Sequence, residues 1–200
     1  MAPTIGESWQ PGDVEQPRPT RRDLEAAAGR RVPDVIGPGL DVVFCGINPG
    51  LWSAAVGHHF ARPGNRFWKV LQAAGFSPEV IAPEDDGRLL ELGLGVTNLV
   101  ARSSATAAEL TTEELRRGGR RLARTVGRWQ PRFVAFVGMG AFRTAYGRPR
   151  AVVGEQSGAI AGARVWLLPN PSGLQAHYQF DDLVAAFAEL RQAVGSAMRR

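Results

Sequence analysis

The chain has 200 residues, 44% of them hydrophobic, enough for one domain with a substantial core. Its 24 Lys and Arg against 19 Asp and Glu leave a formal charge of +5, with a sequence pI near 10.5; such a balance suits an anionic partner such as nucleic acid. A single cysteine, Cys45, excludes a disulfide framework, and three histidines beside it cannot assemble a structural zinc site or an iron-sulfur cluster, so no cofactor is expected.

Every basic residue except Lys69 is arginine. Arginine suits bidentate phosphate contacts, although the excess is equally compatible with genome composition. No apolar run reaches transmembrane length and the first thirty residues carry no hydrophobic leader, so the expectation is a soluble cytoplasmic protein, nucleoid-associated in a bacterium, with no membrane partner.

Residues 1–33 hold Pro3, Pro11, Pro17, Pro19 and Pro33 among scattered arginines. Only Asp23 to Gly29 could make a turn or two of helix, so this stretch is expected to be a disordered tail ahead of a folded domain at 34–200. A first strand is expected at 41–46, where Val42-Val43-Phe44-Cys45 is apolar and uncharged. Asn48-Pro49-Gly50 turns the chain at its carboxyl end, and proline holds Asn48 extended. The stretch from Trp52 to Trp68 is too long for a plain connection and reads as an active-site wall.

Asn65 can cap a helix whose apolar positions Phe67, Val70, Leu71 and Ala74 follow helical spacing up to Gly75. A shorter helical stretch covers about 84–92, and Gly95-Val96-Thr97-Asn98-Leu99-Val100 reads as the next strand, followed by a polar loop. Thr111-Thr112-Glu113-Glu114 opens a helix to about Trp129 whose arginines read as a solvated face. Phe133–Val137 is a third buried strand. Gly138-Met139-Gly140 leads into a helix, but the third glycine of a dinucleotide fingerprint would fall on Arg143, which argues against that function; no phosphate-loop lysine motif occurs either. A hairpin-like region at 151–163, a strand at 164–168, a second special loop at 169–175 and a helix from about Phe180 to Ala193 complete the chain. Alternating strands and helices predict a three-layer α/β/α sandwich with a mostly parallel central sheet.

Two loops leaving parallel strands, Gly46-Ile47-Asn48-Pro49-Gly50 and Leu168-Pro169-Asn170-Pro171-Ser172-Gly173-Leu174, are each only turn signals. Together with Gly57-His58-His59-Phe60, Gly64-Asn65-Arg66-Phe67-Trp68, Gly118-Gly119-Arg120 and Gln130-Pro131-Arg132, they resemble the mismatch-specific uracil-DNA and thymine-DNA glycosylases over roughly Val35 to Leu190. The resemblance implies a monomeric, monofunctional hydrolase of base-excision repair. It would act on double-stranded DNA with a G:U or G:T mismatch, flip out the pyrimidine and leave an abasic site. It implies Asn48 as the catalytic residue that holds the attacking water, Phe60 stacked on the flipped base, and Gly46, Ile47, Gly50, Ser53 and Asn170 around the base, with Ser53 near its 5-substituent. Ser172, Gly173, Leu174 and Gln175 match the loop that grips and enters the duplex, with Arg102 and His177 as further candidates for backbone contact. Where uracil-directed bacterial members carry an arginine two positions after the leucine, this chain has Ala176, which leaves reading of the opposite base open. Alternatives are a glycosylase of the same superfamily for hypoxanthine or a modified cytosine, and a non-catalytic nucleic-acid-binding module.

Overall fold

The computed structural model describes residues 18–172 and 178–198. Five strands form one sheet in the order β2-β1-β3-β5-β4: β1 Val42–Gly46, β2 Leu94–Asn98, β3 Phe133–Val137, β4 Gly154–Ile160 and β5 Ala163–Leu168. β1 pairs in parallel with β2 and β3, β3 pairs in parallel with β5, and β4 closes one edge antiparallel to β5. The expected mostly parallel sheet is the one observed.

The side-chain alternation of a strand sorts the core into two clusters. Phe133, Ala135 and Val137 of β3 join Phe44 and Leu168 against α3 (Phe67–Ala73) and α6 (Phe180–Met198), through Phe67, Leu71, Leu183, Phe187 and Leu190. Val134 and Phe136 join Cys45, Val165 and Leu167 against α4 (Thr112–Trp129) and α5 (Met139–Tyr146), through Leu122, Val126 and Phe142. Helices therefore cover both faces, which explains why β1, β2 and β3 are buried along their whole length. At one end of α4, Thr111 Oγ1 accepts the Glu114 N–H while the Glu114 carboxylate accepts the Thr111 N–H at 2.9 Å. Two of the helix's free amides are thereby satisfied where the sequence calls for it.

Three expectations change. The stretch after Asn48-Pro49-Gly50 contains helix α2 (Leu51–Val56), which begins at Gly50 and stops at Gly57, whose φ is 85°. Six residues are too few to announce a helix in isolation. Residues 18–33, read as the end of a disordered tail, are part of the fold. Helix α1 (Arg21–Ala26) carries a capping box from Thr20 and Asp23, and Ala27 and Val32 are buried against Ala54 of α2. Their backbone is stitched to the loop after β2, with the Gly29 N–H donating to Ser103 O at 3.2 Å and the Ser103 N–H to Arg30 O at 2.8 Å. This packing depends on partners about 70 residues away, which a local reading of proline and arginine content does not see. The last helix also runs past Ala193 to Met198.

Candidate active site

The chain leaves β1 for β2 on one side and then crosses to β3 on the other, so the strand order reverses between β1 and β3. Beyond the carboxyl ends of those two strands the connections splay apart and leave a crevice. A cleft of about 390 Å³ opens there, within the size range of small-molecule pockets. It gathers Ile47, Asn48, Gly50, Ser53, Phe60 and Asn170, all expected from the sequence, together with Ser172.

Asn48 is held by its amide nitrogen. Nδ2 reaches Ser104 Oγ at 2.8 Å, Pro49 O at 3.2 Å and Arg102 O at 3.3 Å. Carbonyl oxygens can only accept, so the NH₂ end of the carboxamide must face them and Oδ1 must be the opposite end. No donor among the described residues reaches that oxygen, and Asn48 lines the cleft. The acceptors are fixed in turn: Ser104 Oγ donates to Thr106 O at 2.7 Å, and Arg102 is paired to both carboxylate oxygens of Glu114, at 2.5 and 3.0 Å. The guanidinium weighed as a phosphate contact therefore anchors the loop behind Asn48.

Phe60 sits at φ 53°. A bulky side chain seldom adopts this left-handed backbone, and such strain persists where surrounding packing enforces it. The ring stacks on Phe67 with centroids 4.0 Å apart and planes 20° from parallel, which places it on the cleft wall. Beneath it, Gly46 is obligatory: a Cβ there would stand 2.5 Å from Asn98 Oδ1 and 3.4 Å from Phe60 Cζ. Ser53 is buried and its Oγ accepts the Ala61 N–H at 3.1 Å, fixing the turn that carries Phe60. Gly50 bridges to Ser104 and heads α2. Asn170 Oδ1 accepts the Ser172 N–H at 3.0 Å. Gly173, Leu174, Gln175, Ala176 and His177 lie outside the described residues.

Sequence reasoning missed several residues of the site. Asn98, at the end of β2, is buried and lines the cleft, as does Val32; His59, from the Gly57-His58-His59-Phe60 motif that the sequence did single out, lines it too. The signal for Asn98 was a carboxamide inside the stretch 95–100 read as a buried strand. Arg66 donates from its backbone and Nε to Pro171 O, both at 3.2 Å, and from Nη1 to Tyr178 O at 2.9 Å. It thus ties the two shoulders of the second loop to the start of α3. Among the described residues, no three His, Cys, Asp or Glu side chains gather to hold a metal ion, and no helix is long and apolar enough to cross a membrane.

The molecule is an α/β/α sandwich whose switch-point crevice is lined by the Asn48, Asn98 and Asn170 carboxamides and the Phe60 ring. Residues 33–191 match the model of the uracil DNA glycosylase superfamily, and the chain belongs to that superfamily. The solution NMR structure of a uracil DNA glycosylase candidate from Methanosarcina acetivorans superposes with a TM-score of 0.55 at 18% identity. The match covers 82% of this chain and 98% of that one, and it shows a shared fold.

Proposed function

We propose that this protein is a monofunctional DNA glycosylase that removes uracil, and thymine where its methyl is admitted beside Ser53, from mismatches with guanine. It would act as a monomer on double-stranded DNA in the cytoplasm. The observation that carries this reading is the orientation of Asn48, whose amide hydrogens are committed to Ser104, Arg102 and Pro49, which leaves Oδ1 to receive a hydrogen bond from water at the cleft.

The chemistry follows from what a carboxamide can do. A base inside a duplex is unreachable, so it must be flipped out, at a cost that is smallest for a mispair. Stacking on an aromatic ring is worth about 1–3 kcal/mol per base, and Phe60 offers its face. The Asn48 oxygen can orient water toward the sugar C1′, but it cannot take the proton near neutral pH. Departure of the base must therefore lead. Positive charge developing on the sugar is stabilised by the DNA phosphates, and negative charge on the base by amide donors around the cleft. A slow enzyme is the consequence.

Asn98 would read the base edge. Its Nδ2 is engaged by His59 Nδ1 at 3.3 Å, so Oδ1 is the end available to a pyrimidine N3–H. Replacing Asn48 by Ala tests the assignment: base release from a G:U duplex should fall by at least about a hundredfold, the loss expected for a group acting on the transition state, while duplex binding persists. Unchanged release would refute the site. A panel with uracil, thymine or hypoxanthine opposite guanine, uracil opposite adenine and uracil in single strands then fixes the preferred base. Cutting only opposite guanine would show that residues other than Ala176 read the widowed base.

A further inference from the structure

Asn98 reads a base correctly only if its carboxamide cannot turn over, and the hydrogen bonds around it decide which way it faces. His59 is buried, and its Nε2 lies 2.8 Å from the Pro33 carbonyl oxygen. A carbonyl has no proton to give, so the shared hydrogen belongs to Nε2 and the neutral ring keeps a bare lone pair at Nδ1. That lone pair faces Asn98 at 3.3 Å. If the carboxamide were reversed, two acceptors would confront one another in a buried site, so Nδ2 must face His59 and Oδ1 must face away. Oδ1 then lies over Gly46, where a methyl group added at Cα would meet it at 2.5 Å and the tip of the Phe60 ring at 3.4 Å. The oxygen and the tip of the Phe60 ring thus meet over Gly46, and Asn98 and Phe60 both line the cleft.

Both neighbours are themselves fixed. The His59 N–H donates to Asp86 Oδ2 at 3.2 Å and the His59 carbonyl accepts Trp68 Nε1–H at 3.3 Å, which hold its backbone, while burial and the Nε2–H bond to Pro33 O hold the ring. The Asn98 carbonyl accepts a hydrogen bond from Arg121, whose guanidinium also lies 3.5 Å from Asp34; Asp34 in turn accepts the Thr97 hydroxyl at 2.6 Å. Pro33 and Asp34 thereby close a ring through His59, Asn98 and Arg121. Burial holds the His59 imidazolium below the ordinary histidine range, against the opposing pull of the Pro33 carbonyl and the Asp86 and Asp34 carboxylates, so the neutral ring is the form present near pH 7.

We propose that His59, locked as its Nε2–H tautomer by the Pro33 carbonyl, is the positioning residue that aims the Asn98 oxygen into the cleft. It thereby makes the site accept pyrimidines that carry N3–H and refuse cytosine, which offers a lone pair at that atom. The inference rests on the glycosylase reading above. It also gives the segment just before β1 a part in base selection.

The test compares wild type with His59→Phe, which keeps a ring and removes both nitrogens, and His59→Asn, which keeps an acceptor on the Nδ1 side. Single-turnover base release is read from duplexes carrying uracil or cytosine, each opposite thymine so that both are mispaired. Because a site built to pair with a donor strongly rejects a base that lacks it, wild type should release uracil at least about a hundredfold faster than cytosine, and His59→Phe should compress that ratio by about tenfold or more. His59→Asn should retain most of the ratio. A fall in both rates with an unchanged ratio would reduce His59 to a packing residue and overturn the proposal. Long-range ¹H–¹⁵N spectra of the wild-type ring provide an arm independent of catalysis: Nε2 should be protonated and Nδ1 bare, and the other tautomer overturns the proposal whatever the rates. If wild type releases neither base, the glycosylase reading and the base-selection claim fall together, while the ring spectra still decide the positioning claim.

Discussion

Gly118 and Gly119 are consecutive in α4, and the structure predicts opposite fates for them on replacement by Ala. By helix propensity alone both changes should stabilise, since Gly costs about 0.8–1.0 kcal/mol relative to Ala in a helix interior. At Gly119 the added Cβ would stand 3.3 Å from Tyr146 Cζ, a side chain that can give by a few tenths of an ångström. At Gly118 it would stand 2.2 Å from the Leu99 carbonyl oxygen and 2.9 Å from its carbon, both backbone. Relief needs a displacement of about 1 Å between α4 and the end of β2, and overpacking of that kind costs about 1–3 kcal/mol or more. For a chain this long 1 kcal/mol shifts Tm by about 2–4 °C. Gly118→Ala should therefore lower Tm by several degrees, while Gly119→Ala leaves it unchanged or slightly raised. The displaced segment matters to the site, because the Leu99 and Val100 N–H groups donate to Gly46 O and Ile47 O, both at 2.8 Å. Base release should accordingly fall in Gly118→Ala and persist in Gly119→Ala. Thermal melts of the two variants side by side decide the matter. Equal stabilisation of both would mean that α4 does not ride on the Leu99 carbonyl, and the described packing would be wrong.

Two further outcomes follow from the site. Phe60→Ala removes a stacking surface worth about 1–3 kcal/mol per base, so single-turnover release from a G:U duplex should drop by about 5- to 150-fold, and an unchanged rate would remove Phe60 from the base pocket. Glu114 is held down from its ordinary 4.5 to about 2, first by the Arg102 guanidinium and then by the Thr111 N–H. A carboxylate lowered in the folded state stabilises fully above its unfolded pKa, and that contribution is lost as pH falls from about 4.5 toward 2. The melting gap between wild type and Glu114→Gln should therefore shrink over that interval; a gap that stays constant with pH would show that the ion pair behind Asn48 contributes nothing.

Much of the sheet was legible because its strands are short apolar runs closed by turn residues, and such runs fit only a sheet covered on both faces. Phe133–Val137 is bounded identically in sequence and structure. Helix α4 announced its start through Thr111 and Glu114, whose capping is local chemistry. The loops bearing Asn48, Phe60 and Asn170 were also legible, since proline, glycine and asparagine turns at strand ends are encoded within a few residues. Helix α2 escaped because six residues carry no decisive periodicity.

What the tertiary structure alone decided is orientation. The sequence by itself determined that a carboxamide stands after β1 and that another lies in the second strand. It could not say which end of either amide faces the cleft, because the groups that choose are remote in the chain: Ser104 and Arg102 for Asn48, and His59 with Pro33 for Asn98. The inclusion of residues 18–33 in the fold is settled in the same way, by backbone pairing with Ser103. Local propensity acts over a few residues, whereas the direction of a hydrogen bond depends on a partner that only the folded chain brings within about 3 Å.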